Sequence, residues 1–249
     1  MSSLCCHRRR TTASWPRGHG RRLLQAALIA GVTCAGARAE SIDWSLGVAS
    51  ATVLRGIALG AGGVDLQAAA SYADEAGWRA NLGVAALHSK PSNDRWEAQL
   101  FWRFGYAHQI DDDWSAQLAH TRYAYPESSA LRRYAHDELG ATLAFRDLLY
   151  LSVASLRRTH YETSAGRYSV AYDVVARHAL PSSVWAGAGL GYLDSRGSSF
   201  AYSYGHLGLG AQWGAVLAQL NYIATDDAAK RRYGDAASNR WAASLSRIF

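Results

Sequence analysis

Residues 95–108, RWEAQLFWRFGYAH, predict the fold of the whole chain. Because side chains alternate between the two faces of a strand, every second residue of this stretch belongs to the same face. One face carries the apolar or aromatic residues Trp96, Ala98, Leu100, Trp102, Phe104 and Tyr106. The other face carries Glu97, Gln99, Phe101, Arg103, Gly105 and Ala107. A broad apolar face with aromatic ends, opposite a face with charged and small residues, is typical of a strand in a transmembrane β-barrel.

The same alternation recurs along the chain and predicts twelve antiparallel strands, an even number as in bacterial single-chain barrels. The predicted strands are 42–55, 64–72, 78–88, 95–108, 114–125, 134–145, 149–156, 168–180, 184–193, 201–213, 216–225 and 240–249. Long and short connections alternate between them. Such barrels have short periplasmic turns and longer extracellular loops, so both ends of the predicted barrel are periplasmic. The sequence therefore predicts an all-β, up-and-down transmembrane barrel in the bacterial outer membrane.

Residues 1–39 have the features of a secretory signal peptide. Arg21 and Arg22 end a basic region, residues 23–35 are apolar, and Ala37-Arg38-Ala39 is a small-x-small cleavage site. A membrane anchor is the alternative, but about 13 apolar residues are fewer than the roughly 20 that span a bilayer. We therefore expect cleavage after Ala39, and a barrel domain that comprises residues 40–249.

The positive charge and the cysteines of the chain belong to this leader. The formal charge is +6, but seven of the 26 basic residues lie in 1–39, which contain no Asp or Glu. The other 19 basic residues face 20 acidic ones, so the charge gives no support to a nucleic-acid partner. Cys5, Cys6 and Cys34 also fall in the leader. The mature chain is therefore predicted to have no disulfide, thiolate metal site or cysteine nucleophile.

Aromatic residues mark the membrane boundary and the end of the chain. Aromatic girdles lie at both interfaces of transmembrane barrels, on the outward face of the strands. The girdle nearest the short turns is predicted to contain Trp44, Tyr72, Trp78, Tyr106, Trp114, Phe145 and Trp213. The last strand closes on Phe249, a terminal aromatic residue that predicts recognition by the outer-membrane barrel-assembly machinery.

Charged residues on the inner face are the candidate pore-lining residues. They are Asp65, Glu97, Arg103, Glu138, Asp173 and Arg177. Buried charges need water or ion pairs, so these groups either set ion preference in a wet pore or pair with each other and plug a narrow barrel. Barrels near eight strands are filled and those of 16–18 are open, so twelve strands leave both readings possible. The four acids against two arginines predict a weak preference for cations.

Short segments across residues 44–249 resemble the TorF-type porins, a family of bacterial outer-membrane proteins. They are Val53-Leu54-Arg55-Gly56-Ile57, the turn segment 71–78, Tyr123-Ala124-Tyr125-Pro126, and the ending Ser244-Leu245-Ser246-Arg247-Ile248-Phe249. The resemblance implies a barrel fold and an outer-membrane location. None of these motifs is catalytic, so it implies nothing about an enzymatic activity.

The sequence predicts a narrow passive channel for small hydrophilic solutes or ions, not an enzyme. The alternatives are a non-conducting structural or adhesive surface barrel and, less favoured, a lipid-modifying enzyme at the rim. His88-Ser89 with Ser92-Asn93 could supply a Ser-His pair, but Ser, Asn and Pro also favour an ordinary polar loop. We expect no cofactor and no metal site. The expected partners are outer-membrane lipid and lipopolysaccharide, the assembly machinery, and small solutes or ions.

Overall fold

A computed structural model describes residues 41–60, 62–88, 96–126, 128, 131–159 and 167–249. The predicted signal peptide, its cleavage site, and Ser89, Ser92 and Asn93 lie outside the described residues. Within these ranges no helix has the length and apolarity that a membrane crossing requires.

Twelve strands form a closed antiparallel barrel in which neighbours in the sequence are neighbours in the sheet. The first strand of the barrel pairs with both the second and the last, and this closes the ring. The barrel strands are β1 Ser41–Ala49, β4 Asp65–Ala73, β5 Trp78–His88, β6 Trp96–Gln109, β7 Trp114–Ala124, β8 His136–Phe145, β9 Leu149–Arg158, β10 Tyr168–Ala179, β11 Val184–Arg196, β12 Ala201–Trp213, β13 Val216–Thr225 and β14 Arg240–Ile248. The predicted barrel fold is confirmed. We call its two ends the short-turn end and the long-loop end.

The pairing register places one apolar face on the outside around the whole ring. On β5 and β6, for example, Leu82 lies directly opposite Trp102, and both side chains are exposed. Leu190 on the far wall is 75% exposed. A continuous exposed apolar surface of this kind marks contact with lipid, because a water-soluble protein rarely leaves so large a patch uncovered.

The predicted first strand is too long, because the barrel strand ends at Ala49 and not at residue 55. Residues 50–60 instead turn into the barrel as a small hairpin, with β2 at Val53–Leu54 and β3 at Ile57–Ala58. Asp65 fixes the base of this inner hairpin. Its carboxylate accepts the backbone N–H of Thr52 at 2.6 Å and the backbone N–H of His88 at 3.0 Å.

The tip of the inner hairpin requires glycine. Arg55 and Gly56 both have positive φ, 48° and 80°, as a two-residue turn with the twist of a hairpin demands. A Cβ at position 56 would lie 2.5 Å from the Cγ2 of Thr225 and 2.8 Å from the Cβ of Tyr204. The hairpin tip is therefore held against the inner wall with no space for a side chain at this position.

Apolar contacts fill the long-loop half of the barrel around the inner hairpin. Ile57 packs in a buried cluster with residues of β9, β11 and β12, Leu59 in a second with residues of β5, and Val53 and Ala58 in a third with Ile223. Nonpolar inner-wall residues of these clusters are Leu87, Leu156, Leu193, Tyr202, Ile223 and Ala242. The hairpin thus forms a dry plug in one half of the interior.

The connection between β13 and β14 covers this plug. It contains the helix α1, Asp227–Tyr233, followed by a 3₁₀ helix at Gly234–Ala237. Asp226 caps α1 by accepting the N–H of Ala229 at 2.9 Å and also accepts the N–H of Ser203 at 2.7 Å. Ala229 is fully buried in the same cluster as Ile57, so the helix closes over the hairpin at the long-loop end.

Candidate functional site

The inner hairpin places the side chain of Arg55 inside the barrel, against a carboxylate of the wall. The Nη2 of Arg55 donates to the Oε2 of Glu138 on β8 at 2.8 Å, and the two side chains are only 11% and 15% exposed. The hydroxyl of Tyr202 donates to the carbonyl oxygen of Arg55 at 3.2 Å. Burial lowers the pKa of the Arg55 guanidinium, but the nearby Glu138 and Asp173 carboxylates bring that pKa above its ordinary value. Arg55 is therefore a fixed cation.

A second pair lies beside it and depends on a glycine. The hydroxyl of Tyr204 on β12 donates to the Oδ1 of Asp173 on β10 at 2.6 Å, across the intervening strand β11. The β11 residue between them is Gly191, where a Cβ would lie 2.2 Å from the Tyr204 ring. The absent side chain at Gly191 lets the ring lie flat along the wall. Together we call Arg55, Glu138, Asp173 and Tyr204 the constriction.

Further arginines line the wall towards the short-turn end. Arg103 on β6 donates to the Oε1 of Gln117 at 3.3 Å, and the Arg177 guanidinium lies 4.2 Å from the ring centre of Trp185. The Nε atoms of Arg55, Arg79 and Arg103 are buried and have no hydrogen-bond partner among the described residues. Ordered water is the usual partner of buried donors of this kind.

The six predicted pore-lining residues all lie on the inner face, but they divide into two groups. Asp65 is 2% exposed and holds the base of the hairpin, as described above. Glu97 accepts the hydroxyl of Ser128 at 2.7 Å, and that hydroxyl accepts the N–H of Leu131 at 2.8 Å, so Glu97 fixes a loop. Glu138 and Asp173 form the constriction. Arg103 lies near the middle of β6, and Arg177 lies near the short-turn end of β10.

Arg55, Arg79 and Tyr204 are not among the predicted pore-lining residues, although the predicted third strand places Arg79 on the inner face near its short-turn end. Arg55 was predicted to end the first barrel strand, whereas it lies at the tip of the inner hairpin. Tyr204 lies on the inner face of a correctly predicted strand. Its contact with Asp173 could have been suspected from the glycines at 187, 189 and 191, which leave the inner face of β11 bare.

The outer wall carries the predicted girdle positions. All seven residues lie on the outward face near the short-turn ends of their strands. Ring centres are 5.2 Å apart for Trp78 and Tyr106 and 5.0 Å apart for Trp114 and Phe145. At the barrel seam, the N–H of Phe249 donates to the carbonyl oxygen of Trp44 at 2.8 Å.

These features define the class of the protein as a twelve-stranded transmembrane β-barrel. Its fold is similar to that of the KdgM porin, with a TM-score of 0.52 and 9% sequence identity over 84% of this chain and 98% of that one. It is also similar to the NanC porin, with a TM-score of 0.53 and 11% identity over the same shares of the two chains. No family model matches the sequence, and no curated protein matches it. At these identities the similarity shows the fold.

Proposed function

We propose that the chain is an outer-membrane porin-like protein of the TorF type, which forms a narrow passive channel for small hydrophilic solutes or ions. The observation that carries this proposal is the constriction, where Arg55, Glu138 and Asp173 bring three charges to one point inside the barrel. In a barrel that served only as a surface support, well-packed apolar residues would stabilise this point as well as a buried ion pair does.

The lumen on the short-turn side of the constriction is suited to water. Its wall carries Arg79, Arg103 and Arg177, and the buried Nε atoms of the first two have no protein partner in the described ranges. Serine, asparagine, glutamine and glycine residues make up much of the remaining inner face. Charged and polar walls of this kind allow a hydrophilic solute to exchange its hydration shell for protein groups as it passes.

The inner hairpin makes the channel narrow. Its apolar side chains fill the long-loop half of the barrel, so a solute passes beside the hairpin or when the hairpin moves away from the wall. Arg55, at the hairpin tip, has two roles. The same residue fixes the hairpin through Glu138 and presents a positive charge to the solute.

The lumen charges favour anions, in contrast to the preference predicted from the sequence. Asp65 and Glu97 are occupied by backbone and loop contacts and do not belong to the channel wall. From the constriction to the short-turn end, the remaining acids are Asp43, Glu138 and Asp173, and the arginines are Arg55, Arg79, Arg103 and Arg177. Arg158 and Arg240 also lie on the inner face, but at the long-loop end. The net charge of this wall is about +1, and low-dielectric walls amplify its field.

Planar bilayers test the proposal directly. Purified barrel should conduct, and its reversal potential in a salt gradient should show weak anion preference that decreases at 1 M salt, where the Debye length is about 3 Å. Arg103→Gln should reduce that preference. Arg247→Gln is the matched control, because Arg247 lies on the outward face at the short-turn end and contacts the ring of Phe249.

A non-conducting surface barrel is the second candidate, and the dry packing around Ile57 favours it. Folded protein that migrates differently before and after heating, yet never conducts, would establish this candidate and reject the channel. We propose no catalytic role, since the inner charges pair with each other or fix loops. The proposed location is the bacterial outer membrane, with lipid, lipopolysaccharide and the assembly machinery as partners.

A further inference from the structure

Charged and aromatic side chains form a straight row on the outside of the barrel. The pairing register puts them directly opposite one another on the six adjacent strands β6 to β11. In order they are Trp102, Arg122, Asp137, Arg157, Tyr168 and Arg196, and we call them the outer row. Directly opposed residues have Cβ atoms about 4.5–5.5 Å apart, so successive arginines of the row are about 10 Å apart.

From β9 to β11 the outer row lies where the apolar wall ends, whereas Trp102 lies near the middle of β6. Tyr168 begins β10 and Arg196 ends β11, and Arg157 is the last residue but one of β9. All of these positions belong to the long-loop end, which faces the outside of the cell in bacterial barrels. Tyr168 is 48% exposed. Exposed aromatic side chains at this depth are typical of the boundary between hydrocarbon and lipid headgroups.

The arginines of the row keep donors available for a ligand. Arg122 donates from Nη1 to both carboxylate oxygens of Asp137 at 3.0 and 2.9 Å, and its guanidinium lies 5.8 Å from the ring centre of Trp102. Arg196 pairs through Nε with Asp194 at 3.2 Å. Each guanidinium has five N–H donors, so these pairs orient Arg122 and Arg196 without using all of them. Arg157 is exposed on the strand beside Asp137.

An apolar groove of about 900 Å³ lies on the same wall, on the short-turn side of the row. Residues that line it are Tyr106, Leu118, Ala141, Leu143, Val153 and Tyr172. Ala141 lies directly between Leu118 and Val153 in the register, and its small side chain leaves a depression between the larger neighbours. The groove is thus an apolar depression on the lipid-facing wall. Its lining residues Leu118, Val153 and Tyr172 lie four residues from the outer row along their strands.

We propose that this wall binds a phosphorylated, multiply acylated glycolipid of the outer leaflet, the membrane part of lipopolysaccharide. Its phosphate groups contact Arg122, Arg157 and Arg196, and its acyl chains lie in the groove. Arginine suits this task because its planar fork binds phosphate through two parallel hydrogen bonds. The site requires only that the barrel lies in the outer membrane, and it is independent of conduction.

The binding test uses the folded, detergent-solubilised barrel and purified lipid A in native mass spectrometry. Bisphosphorylated lipid A should remain bound, and dephosphorylated lipid A should bind about tenfold more weakly or worse, the loss expected for at least one charge-assisted hydrogen bond. Phosphatidylglycerol tests whether any anionic lipid suffices, and inorganic phosphate tests whether phosphate binds without the acyl chains. Both should bind far more weakly than bisphosphorylated lipid A.

Two pairs of variants locate the site. Arg157→Gln, alone and together with Arg122→Gln, should weaken binding of bisphosphorylated lipid A about tenfold per arginine and leave the dephosphorylated lipid unaffected. Arg247→Gln, at the opposite end of the barrel, should change neither. Ala141→Phe should weaken both lipids by filling the groove, whereas Ala243→Phe, on the exposed face of β14, should not.

Several outcomes would overturn the proposal. They are equal binding of the two lipid A forms, equal binding of phosphatidylglycerol, unchanged binding by Arg157→Gln, or equal effects of Ala141→Phe and Ala243→Phe. Arg157→Gln keeps the test valid if the double variant fails to fold, because Arg157 is exposed and its replacement leaves the Arg122–Asp137 pair intact.

Discussion

Replacing Glu138 with glutamine should release the inner hairpin from the barrel wall. The change keeps the shape of the side chain and removes the only charge that bonds directly to the Arg55 guanidinium in the described part of the chain. Both side chains are largely buried. Removing one partner of a buried pair typically costs about 3–5 kcal/mol, since the other charge is left without compensation.

This cost should fall on the hairpin and not on the barrel. The strands next to Glu138 are held by ladders of backbone bonds to β7 and β9 that the substitution does not touch. The hairpin is held by apolar contacts, by Asp65 at its base and by the Arg55 side chain at its tip. A loss of about 3 kcal/mol lowers the ratio of docked to released hairpin at least a hundredfold.

Trypsin measures this release in barrels reconstituted into vesicles. It cuts after arginine, and in the docked hairpin Arg55 is enclosed by the barrel wall. Glu138→Gln should therefore increase the rate of cleavage that gives a fragment beginning at Gly56, and it should raise single-channel conductance. Asp137→Asn is the matched control, because it also replaces a carboxylate by its amide but on the outward face. Equal cleavage rates in the two variants and the wild type would refute this account of the constriction.

Three further predictions concern the wall, the turns and the last residue. Leu220→Arg directs a cation towards lipid and should destabilise the barrel by roughly 2–4 kcal/mol. Gln219→Arg is the control, because it directs the same cation towards the lumen. Equal midpoints of urea unfolding for the two variants would show that the register is wrong. The hydrogen bond from Arg146 lowers the pKa of Asp113. The stabilising effect of this bond is therefore full above the ordinary carboxyl pKa and is lost as the pH falls through the lowered pKa. Asp113→Asn should abolish this contribution to the acid dependence of unfolding, and an unchanged dependence on acid pH would contradict it. Deleting Phe249 should reduce the yield of heat-modifiable barrel in the outer membrane, and an unaltered yield would exclude its role in assembly.

The strands could be predicted because their signals are local. β5, β12 and β13 have the predicted boundaries, since the alternation of apolar and polar residues begins and ends with the strand. The inner hairpin could not be predicted in this way. An apolar run such as Val53-Leu54 suits a lipid-facing strand and an inward-packed segment equally well. The choice depends on Asp65, which is 13 residues further along the chain and reaches back to the N–H of Thr52.

The candidate site shows the same division between local and distant information. The alternation of residues along the strands placed Glu138 and Asp173 on the inner face, where the structure has them. It could not show that Asp173 bonds to Tyr204 across a third strand, because that contact needs the register of three strands and the bare backbone of Gly191. Nor could the alternation show that the Glu97 carboxylate accepts a hydrogen bond from Ser128, since the loop that brings them together has no periodic pattern.

The two proposed sites occupy opposite faces of the same strands, and this makes them separable. Asp137 and Glu138 are adjacent in β8, yet the first belongs to the outer row and the second to the constriction. The side chain of Asp173 bonds to Tyr204 inside the barrel, while its neighbours Tyr172 and Val174 are exposed on the outer wall at the groove. A strand cannot exchange these roles without a one-residue shift of register, which would turn its whole inner face, charged residues included, towards lipid. Substitutions on one face should therefore change conduction without changing lipid binding, and substitutions on the other face should do the reverse.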